Sequence, residues 1–172
     1  MAEAYPNSRF VGYDVHAGSI QDARKNAAEA GVADRVTFEV ARAKDLPAAA
    51  FDLICFFDCL HDLGDPVGAA SHAFQALAPD GTVMLVEPFA GDRVEDNLNP
   101  IGRMYYSAST TLCCAHSLSE EVGLALGAQA GEKRLSEVFR EAGFESFRRA
   151  TETLFNLVLE AKKPAEAFPR AA

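Results

Sequence analysis

No apolar run in this 172-residue chain approaches the ~20 residues that cross a bilayer as a helix. Met1 to Pro6 holds no basic stretch leading into an apolar core, so no secretory leader is read there. A basic excess is also missing. Sixteen Lys and Arg stand against 25 Asp and Glu, a net charge of -9, which argues against a nucleic-acid surface. The basic pairs Lys133-Arg134 and Arg148-Arg149 read as ordinary solvated faces. Cysteine is scarce. The four present (Cys55, Cys59, Cys113 and Cys114) make no disulfide framework in a chain this long. Cys55 lies in an apolar run, where a reduced, buried thiol is the default. Cys113-Cys114 lacks metal-ligand spacing, and no metal site is assigned. These features place the chain in a reducing cytoplasm. Repeats and low-complexity tracts are absent.

What is present is 49% hydrophobic residues, enough for one sizeable core. Short apolar runs alternate with helical stretches, the pattern of an α/β fold with a mostly parallel sheet. Arg9 to Val15 reads as a strand carrying Asp14 at its end. The next helix is expected to start at Ser19, with Asp22 as its capping partner, and to close at Gly31. Val36 to Ala41 alternates as a second strand. Phe51 to Phe57 is nearly all apolar, as in a strand covered on both faces. Asp65-Pro66 opens a helix with Val67, Ala70, Phe74 and Leu77 inward. Pro79-Asp80-Gly81 reads as a turn before the strand Thr82 to Glu87. Residues 88 to 116 read as an irregular cover with a short helix. Ser117 and Glu120 form a capping box opening a helix towards Gly127. Gly123, Gly127 and Gly131, spaced by four, suggest close packing or breaks. Leu135, Val138, Phe139 and Ala142 face inward on a last helix. Phe144 to Ala150 and Phe155 to Ala161 are too close in sequence for a crossover, so they pair antiparallel.

Three strand ends carry polar groups at the edge where open parallel sheets bind ligands. Asp14 is the first; a carboxylate there can accept hydrogen bonds from both hydroxyls of a ribose, or be a simple loop acid. Phe57 to Pro66 is the second. Val86-Glu87-Pro88-Phe89 is the third, where Pro88 turns the chain out of the sheet. His61 beside Asp62 can be a general base in a carboxylate–histidine pair, or a loop residue capping the next helix. His116 precedes an expected helix start and can line the substrate side. His72 reads as structural. Tyr105-Tyr106 reads as core packing or as a wall for an aromatic substrate.

In order and spacing, Phe10-Val11-Gly12-Tyr13-Asp14, Phe51-Asp52-Leu53-Ile54-Cys55, Leu60-His61-Asp62-Leu63-Gly64-Asp65-Pro66 and Leu77 to Glu87 resemble the class I S-adenosylmethionine-dependent methyltransferases. Leu60-His61-Asp62 is most similar to the small-molecule type, including O-methyltransferases. The resemblance implies a Rossmann-like methyltransferase fold with an antiparallel last strand over residues 1–163, and a tail over 164–172. It implies S-adenosylmethionine as cofactor and a small-molecule acceptor at oxygen or nitrogen, with neither nucleic acid nor membrane as partner. Carried onto this chain, Asp14 holds the ribose, Val15 and His16 border the adenine, and Ala43 and Lys44 sit at the adenine edge. Arg42 stands where the family often has an acid. Phe57 and Asp58 lie by the methionine part of the cofactor. His61, Asp62 and His116 are the catalytic candidates.

The chain departs from the family at its front. None of its 12 glycines is separated from another by a single residue, so the family's GxGxG-type loop is missing. Residues 1 to 6 resemble the end of the helix after that loop, which implies a domain without its first strand. Such a chain is expected to bind cofactor poorly, and either to rearrange so that its remaining strands pair or to associate with a second copy through strands or helices, as a homo-oligomer through the incomplete sheet. Two other readings stand beside this one. One is a nicotinamide-dependent dehydrogenase, which shares a ribose-binding acid after a strand; a Tyr-x-x-x-Lys pair is lacking. The other is a non-catalytic, methyltransferase-like interaction module.

Overall fold

The computed structural model describes residues 1–45, 47 and 51–163; the expected tail, 164–172, lies outside them. Its chain forms two compact units, Met1–Leu46 and Pro47–Ala172. In the first, strand β1 (Phe10–Asp14) pairs in parallel with β2 (Val36–Val40), placing Asp14 opposite Val40. Helix α1 (Ala17–Glu29) connects them and buries Ile20 and Ala27. Its N-cap is His16 rather than the expected Ser19. The His16 ring accepts the Ser19 N–H, so a side chain three residues earlier satisfies the first turn. Gly31 follows the helix at φ 67°, the left-handed conformation expected of it.

The second unit holds a four-stranded sheet in the order β3-β4-β6-β5. β3 (Phe51–Phe57) runs parallel to β4 (Leu77–Pro88), and β4 runs antiparallel to β6 (Asn156–Lys162), which pairs antiparallel with β5 (Ser146–Glu152). The expected closing hairpin is therefore present. The expected turn at Pro79-Asp80-Gly81 is an irregularity within β4. Phe51 pairs with Leu77 and the ladder resumes at Leu53 and Thr82, with Asp80 between at φ 63°. β3 differs from the expectation of two covered faces: Ile54 and Phe56 are buried, whereas Leu53 and Phe57 remain 44% and 56% exposed. Side chains alternate along a strand, and only one face is packed.

Helix α2 (Pro66–Ala76) starts as expected, with the Asp65 carboxylate accepting the Gly68 N–H at 2.7 Å. An alanine stripe (Ala69, Ala70, Ala73, Ala76) carries its burial; Val67 and Phe74 are half-buried. Residues 100–119 are more helical than the expected irregular cover. α3 (Pro100–Ala108), a π-helical turn (Ser109–Cys113) and α4 (Cys114–Ser119) follow one another without a break. The helix expected after Ser117 does not form. Ser117 sits in the last turn of α4, where its hydroxyl donates to Leu63 O and accepts the Ala125 N–H. Glu120 accepts the Gly64 N–H. Both capping groups are thus spent on tertiary contacts. Helix α5 (Gly131–Glu141) buries Leu135, Val138 and Phe139 as expected.

Candidate functional site

Each unit gathers its polar candidates at the carboxyl ends of parallel strands. In the first, Asp14 ends β1. Its Oδ1 accepts the His16 N–H at 2.7 Å, which aims an exposed carboxylate by a local turn. Val15 is 67% exposed. After β2, Ala43 and Lys44 lie in a short 3₁₀ turn, Ala43–Asp45. The carboxylate, turn and exposed Val15 fit the nucleoside end of a cofactor, since a fixed acid meets a diol and an apolar side chain meets a flat base.

In the second unit the chemistry is denser. β3 ends at Phe57, beside β4. The next residue, Asp58, turns at φ 47° while its N–H donates to Val86 O at 2.8 Å. Its carboxylate accepts the Asn156 side-chain N–H at 3.0 and 3.3 Å. The chain then tightens into a 3₁₀ turn, Leu60–Asp62. Leu60 is fully buried, and its N–H donates to Glu87 Oε1 at 3.0 Å. The other oxygen, Oε2, meets His61 Nδ1. Glu87 is therefore held on both oxygens by the turn that carries His61. Both residues are buried, at 4% exposure for His61 and 2% for Glu87.

Burial lowers the pKa of His61, but its hydrogen bond to the Glu87 carboxylate and the charges of Glu87, Asp62 and Asp58 outweigh it, so the net shift is upward. Burial raises Glu87, against the opposing pull of His61 and the Leu60 N–H. The two groups share their protons as a coupled pair. With Nδ1 directed at Glu87, the other ring nitrogen, Nε2, lies 3.3 Å from Asp62 Oδ1. Near them, burial and Glu87 push Cys59 up to about 12, so it is a protonated thiol. Cys113 comes to the same place from the π-helical turn. Its sulfur, an Asp62 carboxylate oxygen and a His61 ring nitrogen all lie within 4.8 Å of one another.

Of the catalytic candidates, His61 and Asp62 share this cluster. His116 lies apart from it on α4, 59% exposed, with Nε2 3.5 Å from Glu120 Oε1. The sequence marks Glu87 as part of the third polar strand end but assigns it no role in the site. Its signal in the sequence is an acid inside the apolar run Thr82 to Glu87, directly before a proline. The loop Glu120 to Ala130 closes over the histidine turn: Leu124 N–H donates to Gly64 O at 2.9 Å and Gly127 N–H to His61 O at 3.2 Å.

Residues 1–143 match a sequence profile described as "Methyltransferase domain". The fold is that of solved methyltransferases. An S-adenosylmethionine-dependent methyltransferase, SibL, is 24% identical with a TM-score of 0.68, over 95% of this chain and 46% of its own. An O-methyltransferase family 2 protein from Planctomyces limnophilus, solved with apigenin, is 17% identical with a TM-score of 0.71, over 95% and 46%. Human N-acetylserotonin methyltransferase, solved with S-adenosylmethionine, is 16% identical with a TM-score of 0.67, over 94% and 42%. The chain thus spans about half the length of these proteins. The match over residues 1–143 shows that the chain belongs to the methyltransferase-domain family.

Proposed function

We propose that the protein transfers a methyl group from S-adenosylmethionine to an oxygen or nitrogen of a small molecule, with His61 as general base. The observation that carries this reading is the buried pair of His61 and Glu87 at the carboxyl ends of β3 and β4. When bound, the cofactor supplies an electrophilic methyl on a positively charged sulfur. Asp14 holds the ribose hydroxyls, Val15 and His16 border the adenine with Ala43 and Lys44 at its edge, and Phe57 and Asp58 lie by the methionine end. Glu87 fixes the His61 ring with its Nδ1 proton inward, so the Nε2 lone pair takes the proton the acceptor gives up. Alignment of donor and acceptor supplies most of the remaining acceleration. Four free thiols fit a reducing, cytoplasmic setting. The reading is tested by offering full-length protein radiolabelled S-adenosylmethionine with a panel of phenols and amines. Labelled product supports it; tight cofactor binding with no transfer to any acceptor favours a non-catalytic module.

Asp14 gives a binding test. A hydrogen bond to a charged group is worth about 1.5–3 kcal/mol. Calorimetric titration of full-length Asp14→Ala should therefore show S-adenosylmethionine affinity reduced about 10- to 150-fold. Unchanged affinity would remove Asp14 from the site.

We also propose that the 172-residue chain self-associates and, lacking a glycine-rich loop, holds the cofactor weakly by itself. Among the described residues, β3 stands at the edge of the four-stranded sheet with Leu53 and Phe57 exposed. An apolar strand edge is a template for pairing with a second chain. Light scattering should return twice the monomer mass, and Leu53→Lys should shift it towards monomer. A wild-type monomer at high concentration refutes the proposal.

A further inference from the structure

We propose that His61 Nε2, Asp62 Oδ1 and Cys113 Sγ form a binding site for a borderline-soft divalent metal ion of the Zn²⁺ class. Three observations converge on it. First, the three ligand types are those that zinc sites use, and the atoms lie within 4.8 Å of one another. His61 Nε2 and Asp62 Oδ1 are 3.3 Å apart. Tetrahedral bonds of about 2.0–2.1 Å to nitrogen and oxygen would set those atoms about 3.3 Å apart. Second, Asp62 Oδ1 is buried and makes no hydrogen bond. A ring nitrogen and a buried carboxylate oxygen thus face each other at 3.3 Å, and a cation between them would meet both. Third, the other side of the imidazole is already arranged as in metal sites. A ligating histidine usually gives its second N–H to a carboxylate, and Glu87 Oε2 occupies that place.

Cys113 completes the set. It is 8% exposed and closes the π-helical turn Ser109–Cys113. Such one-turn insertions are rare and recur at functional sites; here the turn carries a buried sulfur to the side chains of a distant 3₁₀ turn. Without metal it is a thiol, because burial and the Asp62 carboxylate push it up to about 11. On binding, the thiol proton leaves to solvent and the thiolate bonds the metal. Three protein ligands leave a fourth position for water. Cys114 is engaged differently, its sulfur 3.5 Å from Ser109 Oγ, and serves as a control.

The binding claim rests on this geometry; one consequence rests on the base reading above. A metal on Nε2 takes the lone pair that would accept the acceptor's proton, so occupancy should inhibit turnover. The test is Co²⁺ titration of full-length protein by absorbance. A thiolate-to-cobalt charge-transfer band should appear at one equivalent and disappear on adding Zn²⁺. It should be retained in Cys114→Ser, lost in Cys113→Ser, and at least tenfold harder to saturate in Asp62→Asn. Circular dichroism melts establish which variants are folded; if Cys113→Ser is not, Asp62→Asn decides. No band in the wild type, a band surviving in folded Cys113→Ser, or unchanged Co²⁺ affinity in Asp62→Asn overturns the site. A band that forms while turnover stays constant leaves the site standing and removes His61 as base.

Discussion

Replacing His61 with glutamine is expected to lower kcat about 10²–10⁴-fold, the share a positioned base contributes. S-adenosylmethionine affinity should be nearly unchanged, because the cofactor contacts are assigned to other residues. Glutamine retains an N–H that can meet Glu87, so the buried carboxylate is not orphaned and loss of fold is not the cause. The Glu87→Gln variant adds a readout that simple disruption would not give. Glu87 is the main group raising the His61 pKa against the lowering effect of burial. A base must be unprotonated to act, so activity rises as pH passes upward through its pKa. Removing the Glu87 charge lowers that pKa, and the rising limb of the kcat profile should move to lower pH. A carboxamide at 87 can also donate to Nδ1, which drives the remaining ring proton to Nε2 and lowers turnover. His61→Gln with turnover within about threefold of wild type would leave His61 no more than a positioning residue, far short of the base contribution.

The sequence makes the strand ends legible because they obey local rules. An apolar run must stop where polar residues begin, and Asp14, Asp58 and Glu87 all stand at such stops. The closing hairpin follows from loop length alone. The pairing of His61 is less legible. Sequence adjacency favours Asp62, but Glu87, from the neighbouring strand, takes Nδ1. Parallel pairing of β3 and β4 brings those residues together, and register is a tertiary fact. Cys113 is hidden for the same reason: the π-helical turn that aims it has no marker in Ser109–Cys113. The capping box at Ser117 and Glu120 fails instructively. A serine and an acid three residues apart are a helix start only if local backbone groups are their best partners, and here Leu63 and Gly64 compete successfully.

That same loop makes the histidine turn depend on helix α5, which leads to the largest stability effect expected. Phe139 is fully buried on α5, with ring centroids 5.2 Å from both Phe144 and Phe147. Phe144 in turn meets Phe74 of α2 edge-on at 5.1 Å, so one aromatic cluster links α5, α2 and β5. Removing a buried phenylalanine costs about 3–5 kcal/mol through lost transfer energy and the cavity left behind. For Phe139→Ala at a urea slope of about 2 kcal/mol/M, the unfolding midpoint should fall by about 1.5–2.5 M. Phe139→Leu keeps most of the volume and should lose less. The segment joining α4 to α5 carries Gly127, whose N–H reaches His61 O at 3.2 Å. Loosening α5 should therefore also speed hydrogen exchange at the Gly127 amide, ahead of global unfolding. A midpoint shift corresponding to less than about 1 kcal/mol would mean that the site can relax around the cavity, against the usual cost. Unchanged Gly127 exchange would mean that the loop over His61 is held by Ser117 and Glu120 alone.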